Sequence, residues 1–199
     1  MLFAAGYSCR VILNLAPGVP VVLLHGLSYR SEVWQRLGVM KLLAEKSVPF
    51  LALDMPYGMR SECSPKTRST GKNIAFLKAA ANAIFGDQAA MLVGASLGGH
   101  IALKYASEFG AKGLLLVSPV RTLEEELIQS FTRFKFPVRI IWGSKDNIVS
   151  NEELRILSEK MPNAKLIIYE GSGHSAYVNQ PDRFKRDLLE LYDEAKADL

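Results

Sequence analysis

Ser96, Asp146 and His174 are the residues whose types and settings suit nucleophilic acyl transfer. A serine hydroxyl attacks a carbonyl only when a neighbouring base takes its proton. A neutral imidazole does this near pH 7, and a carboxylate can hold the imidazole in the useful tautomer. Ser96 lies in Met91-Leu92-Val93-Gly94-Ala95-Ser96-Leu97-Gly98-Gly99, an apolar run leading into G-x-S-x-G and then a helical pattern. In that strand–turn–helix setting a sharp turn leaves the hydroxyl exposed, and glycines supply the space the turn needs. The motif alone also arises in glycine-rich turns that carry an incidental serine.

Asp146 follows the apolar run Ile141-Trp142-Gly143, and His174 follows the next run through Glu170-Gly171-Ser172-Gly173. Taken singly, the aspartate reads as a turn cap and the histidine as a surface residue. Taken together, the order Ser, Asp, His, each after a strand, is the order used by one class of serine hydrolases. Acyl transfer also needs donors for the developing oxyanion, and backbone amides suffice. The amide of Leu97, next after the nucleophile, is one candidate. The second is Leu27, in the turn His25-Gly26-Leu27 that ends another strand. His25 reads as a residue that hydrogen-bonds its own loop, and His100, inside a helical pattern, as packed or solvated. Tyr29, Val120, Ile148 and Tyr177 are candidates for the pocket lining, because each stands beyond a strand end.

Positioning these groups requires a sheet. Val21–His25, Phe50–Asp54, Ala89–Ala95, Gly113–Ser118, Val138–Gly143 and Lys165–Glu170 are almost continuously apolar, as strands buried on both faces are. Arg10–Leu15 reads as an added antiparallel edge strand. Helical patterns occupy Ser31–Lys46, Gly71–Phe85, Leu97–Phe109, Asn151–Lys160 and Asp182–Ala195, with Ser31 and Asn151 as N-cap candidates. The alternation predicts an α/β fold. Its sheet is mostly parallel, with about seven strands and helices on both faces, and its ligand site lies beyond the carboxyl ends of the strands.

With these residues in view, the chain resembles the α/β-hydrolase superfamily over about residues 20–195. His25-Gly26 followed by Ser31-Glu32-x-Trp34-Gln35-x-Leu37-Gly38 resembles the small α/β-hydrolase domain-containing 14 group. Asp54-Met55-Pro56-Tyr57-Gly58 is similar to the superfamily's D-x-P-G-x-G loop, with Tyr57 interrupting the usual Pro-Gly. The resemblance implies that Ser96, Asp146 and His174 stand at the triad positions. Many members insert a helical cap before the acid-bearing strand. Here residues 120–137 leave room for one short helix over Thr122–Phe134, so the cap is expected to be essentially absent and the site open.

Composition limits the alternatives. The 199 residues, 49% hydrophobic and 22% charged, suit a single domain spanning 1–199. The longest apolar runs are too short to span a bilayer, and the apolar start Met1–Tyr7 lacks the pattern of a signal peptide. Packing under a sheet edge is the expected role of Met1-Leu2-Phe3. Cys9 and Cys63 read as two free thiols in a reducing cytoplasm. The net charge of +4 and the basic stretch Arg60, Lys66, Arg68, Lys72 and Lys78 come without aromatic interleaving, so no nucleic-acid partner is expected. Nothing suggests a metal, a cofactor or stable membrane insertion. The sequence therefore points to a cytoplasmic serine hydrolase, monomer or homodimer, that cleaves small esters through an acyl-enzyme. An acyltransferase or perhydrolase using the same triad is the alternative, ahead of a non-catalytic interaction module on the same scaffold.

Overall fold

The computed structural model describes residues 1–197. Its centre is a seven-stranded sheet built from β3 (Val11–Asn14), β4 (Val21–Leu24), β5 (Phe50–Leu53), β7 (Met91–Ala95), β8 (Gly113–Val117), β9 (Val138–Gly143) and β10 (Ala164–Tyr169). The strand order is β10-β9-β8-β7-β4-β5-β3. All neighbours pair in parallel except β3, which runs antiparallel to β5 with Val11 opposite Leu53, so Arg10–Leu15 is the edge strand expected from the sequence. Strands β4, β5, β7 and β8 are buried along their whole length.

Alternate strand residues serve opposite faces of the sheet. Val22, Leu24, Leu92, Leu114 and Ile140 pack with α3 (Thr70–Phe85), α4 (Leu97–Phe109), α5 (Glu125–Phe131) and α6 (Asn151–Lys160). Val21, Leu23, Val93, Leu115 and Ile141 face α1 (Glu32–Arg36), α2 (Val39–Glu45), α7 (Ala176–Asn179) and α8 (Pro181–Ala197). Each face thus carries its own apolar layer. Only α5 interrupts the connection between β8 and β9, so among the described residues no cap domain stands over the carboxyl ends of the strands.

Several local expectations need correction. The pattern over Ser31–Lys46 is two helices, because Gly38 takes φ +73° between them, a left-handed turn that glycine enters without strain. Ser31 stands at the N-cap of α1 but makes no side-chain cap; its amide donates to Asp54 Oδ1 at 2.8 Å instead. Helix α6 is capped by Ser150, whose hydroxyl accepts from the Glu153 amide, and Asn151 is its first residue. The N-terminus forms a small second sheet of β1 (Leu2–Ala4), β2 (Tyr7–Cys9) and β6 (Cys63–Ser64). Leu2 packs against the core, while Met1 and Phe3 stay exposed. In that sheet Cys9 and Cys63 are register partners with Cα atoms 4.0 Å apart, joined as a disulfide, which overturns the reading of two free thiols. Spacing gave no sign of the pair because 54 residues separate the two positions.

Candidate active site

Ser96 sits between β7 and α4 at φ +53°, ψ −116°, a backbone conformation rare for residues with a side chain. Tertiary packing holds it there. The Ser96 amide donates to Val117 O at 2.9 Å, and the Ser96 carbonyl accepts the amides of Gly99 and His100 at 3.0 and 3.1 Å. The glycines make room: a Cβ on Gly98 would come within 2.5 Å of Leu24 O, and one on Gly94 within 2.5 Å of Gly98 O. The helix therefore starts against the end of β4, and the hydroxyl projects from the turn.

Asp146 and His174 approach from the loops after β9 and β10. His174 Nε2 lies 2.9 Å from Ser96 Oγ, and His174 Nδ1 lies 2.9 Å from Asp146 Oδ2. The three side chains form one hydrogen-bonded line, with Nδ1–H donating to the carboxylate and Nε2 free to accept from the serine. The Asp146 side chain is fully buried. Burial alone would push its carboxyl up. The amides of Ile148 and Val149, at 2.8 and 3.1 Å, together with the Ser118 hydroxyl and His174, outweigh burial and hold it below the ordinary carboxylate range. Glu170, the nearest competing acid in the sequence, is exposed, and its backbone oxygen accepts from Gln180.

The line opens into a cavity of about 560 Å³. Leu27, Tyr29, Leu97, Val120, Ile148 and Tyr177, all singled out from the sequence, line it, as do Ser28 and Ser175. Tyr177 is buried while Ile148 is 65% exposed, so the cavity runs from a closed floor to an open rim. Among the described residues, neither the Leu27 nor the Leu97 amide donates to a protein acceptor. Gly26 brings its turn close to the nucleophile: a Cβ there would stand 3.6 Å from Ser96 Cβ.

His25 is fully buried and hydrogen-bonds its loop. Its Nδ1–H donates to Gly26 O at 2.8 Å, and its Nε2 accepts from the Met55 amide at 3.0 Å. Desolvation lowers its pKa to about 4, so it is neutral near pH 7. His100 is also fully buried, which lowers its pKa too. Sequence reasoning missed three supporting residues. Ser118 directly follows β8, and inspecting every strand end would have found it. Ser175 follows His174, and its hydroxyl accepts from Tyr29 at 3.3 Å. Tyr57 donates its hydroxyl to His25 O at 2.5 Å, a contact between distant positions that no local pattern carries.

Comparison with known proteins agrees with this architecture. The family model described as "Alpha/beta hydrolase family" matches residues 21–139. Protein ABHD14A of Homo sapiens is 33% identical over 183 residues, and the match takes in 91% of this chain but 66% of that protein, just under two thirds of its length. ABHD14B of Rattus norvegicus, named as a candidate protein-lysine deacylase, is 31% identical over 179 residues, covering 87% of this chain and 83% of that one. The meta-cleavage product hydrolase CumD of Pseudomonas fluorescens superposes with a TM-score of 0.81 at 17% identity, covering 96% of each chain. No helix among the described residues is long and apolar enough to cross a membrane. The seven-stranded sheet, the turn at Ser96 and the match across residues 21–139 lead to one conclusion: this chain belongs to the alpha/beta hydrolase family.

Proposed function

We propose that the chain is a serine hydrolase that cleaves small carboxylic esters through an acyl-enzyme. The observation that carries this reading is the unbroken line from Asp146 through His174 to Ser96, with 2.9 Å at each step, ending in a cavity beside two uncommitted amides. Ser96 Oγ bonds to the substrate carbonyl carbon while its proton passes to His174 Nε2. The carbonyl oxygen takes the negative charge and is held by the amides of Leu27 and Leu97. Collapse breaks the bond to the alcohol, which leaves with the proton from His174. Water then repeats the sequence and releases the acid, while Asp146 stabilises the imidazolium in both halves.

A second reading keeps the same first half and replaces the ester with an acyl amide, in keeping with the name carried by rat ABHD14B. The exposed rim at Ile148 favours it, since a side chain on a larger partner can reach an open site. A third replaces water with another acceptor, as in an acyltransferase or perhydrolase. One experiment tests the common core. A fluorophosphonate should label the native protein at one equivalent, and labelling that survives Ser96→Ala would overturn the assignment. Hydrolysis of p-nitrophenyl esters, set against deacylation of an acetyl-lysine peptide and against product partition with added alcohol, separates the three readings.

A further inference from the structure

Beside the cavity at Ser96 lies a second depression, of about 430 Å³, walled by Tyr29, Arg30, Glu32, Val33, Arg36 and Arg60. Tyr29 lines both hollows, so the two adjoin at its side chain. Their charges differ. Among the described residues no Asp, Glu, Lys or Arg lines the cavity, whereas the depression has three arginines against one glutamate. Arg30 neutralises that glutamate: its Nε and Nη2 reach Glu32 Oε2 at 2.8 and 2.5 Å, and its Nη1 reaches Glu62 at 2.9 Å. Arg36 and Arg60 are exposed and make no ion pair among the described residues. The surplus positive charge of the depression therefore resides on these two.

The chemistry at Ser96 gives that charge a direction. A departing alcohol or amine takes its proton from the histidine, so it leaves on the His174 side. Ser175 is the next residue, and the Tyr29 hydroxyl donates to it at 3.3 Å. A leaving group that clears His174 therefore meets Tyr29 first, and beyond that ring it meets Arg36 and Arg60. The field of Arg36 extends back to the cavity floor, where it favours the ionised form of Tyr177 against a larger opposing effect of burial.

We propose that this depression is a subsite for an anion at the far end of the leaving group, a carboxylate or a phosphate held by Arg36 and Arg60. The inference rests on the serine-hydrolase reading and narrows its substrate class. A guanidinium matches either anion through two parallel N–H···O contacts. The spacer between reacting oxygen and anion must span the Tyr29 ring, so an aryl group or a short chain fits and a directly attached anion does not.

The test uses three acetyl esters of one phenol skeleton, so that the reacting carbonyl stays the same. The para substituent is a propanoate, an ethyl phosphate or, as neutral reference, a propanamide. At low ionic strength kcat/KM for an anionic ester should exceed that for the amide by about fivefold, the scale of two exposed ion pairs. The ratio should fall toward one in about 0.5 M salt and in Arg36→Gln/Arg60→Gln. Arg36→Glu/Arg60→Glu should reverse it, so that the propanamide ester becomes the better substrate. A larger ratio for the propanoate identifies a carboxylate, and a larger ratio for the phosphate identifies a phosphoryl group. A wild-type ratio near one, or a preference that Arg36→Gln/Arg60→Gln retains, overturns the proposal. The three free phenols are also titrated into Ser96→Ala protein, a measurement independent of turnover. Anion-selective binding that the two arginine substitutions abolish supports the subsite even if ester cleavage fails, and equal binding of all three overturns it.

Discussion

His25 Nδ1 lies 2.8 Å from the carbonyl oxygen of Gly26, and this contact orients the peptide unit whose other end is the Leu27 amide. In a trans peptide the C=O and N–H point in opposite directions, so fixing the carbonyl aims the donor. Because Nε2 accepts from the Met55 amide, the proton must sit on Nδ1. A buried histidine thus sets the direction of a proposed oxyanion donor without meeting substrate.

That arrangement carries a pH dependence. Burial lowers the His25 pKa to about 4, below its unfolded value of about 6.5. Between those values the unfolded chain binds more protons, so stability should fall as pH drops from about 6.5 to 4 and this contribution should level off below. The loss is up to about 3 kcal/mol at 1.36 kcal/mol per unit. Urea titrations of the native chain and of His25→Gln across this range should show the slope in the first and a shallower one in the second. Equal slopes would count against it.

Tyr57→Phe should remove the hydroxyl that donates to His25 O and leave a buried carbonyl without that partner. The expected cost is about 1–3 kcal/mol in urea unfolding. If the loop then loosens, kcat should fall more than KM rises, because the proposed Leu27 donor would act in the transition state. Unchanged stability with unchanged kcat would show that the contact holds nothing in place.

Asp146→Asn should fold normally and lose up to about 10⁴ in kcat, since an amide favours the wrong imidazole tautomer. Ser118→Ala should have a smaller effect in the same direction, through a less firmly ionised carboxylate. Circular dichroism checks the fold and p-nitrophenyl acetate the rate. Near-native turnover in Asp146→Asn, with loss in Glu170→Gln, would mean that the acid has been misidentified.

The cavity of about 560 Å³ is open at Ile148 and among the described residues no cap stands above it, so a long acyl chain would run out past the rim into solvent and only its first part would be covered. Each one buried is worth about 0.8 kcal/mol, roughly fourfold in kcat/KM. Efficiency should climb from acetyl to about butyryl or hexanoyl and then flatten, with no jump at the solubility limit. A chain-length series peaking at dodecanoyl or longer would reveal a deep acyl site.

Much of this arrangement was legible in the sequence. The central strands are buried on both faces and therefore read as apolar runs, and the turn at Ser96 has steric needs that only glycines at 94 and 98 meet. What stayed hidden depends on contacts between distant positions. The strands of the N-terminal sheet are two or three residues long, too short for any periodicity, and the Cys9–Cys63 pair forms only when β2 meets β6. Gly38 did mark a helix end, but the apolar spacing continues across it and suggested one helix where there are two. Ser150 and Asn151 are both good caps, and sequence alone does not rank such neighbours.

The brief link between β8 and β9 has a bearing on time as well as space. An acyl group carried on Ser96 would have no shutter drawn over it, so its lifetime would depend on which nucleophile wanders in first. Choice of the second reactant would then rest on the composition of the surroundings, biased only by what the depression at Arg36 and Arg60 favours. In a water–alcohol mixture the ratio of acid to transferred ester would follow the composition of the medium, and in a crowded compartment it would follow whatever thiols, amines and hydroxyls happen to be abundant there.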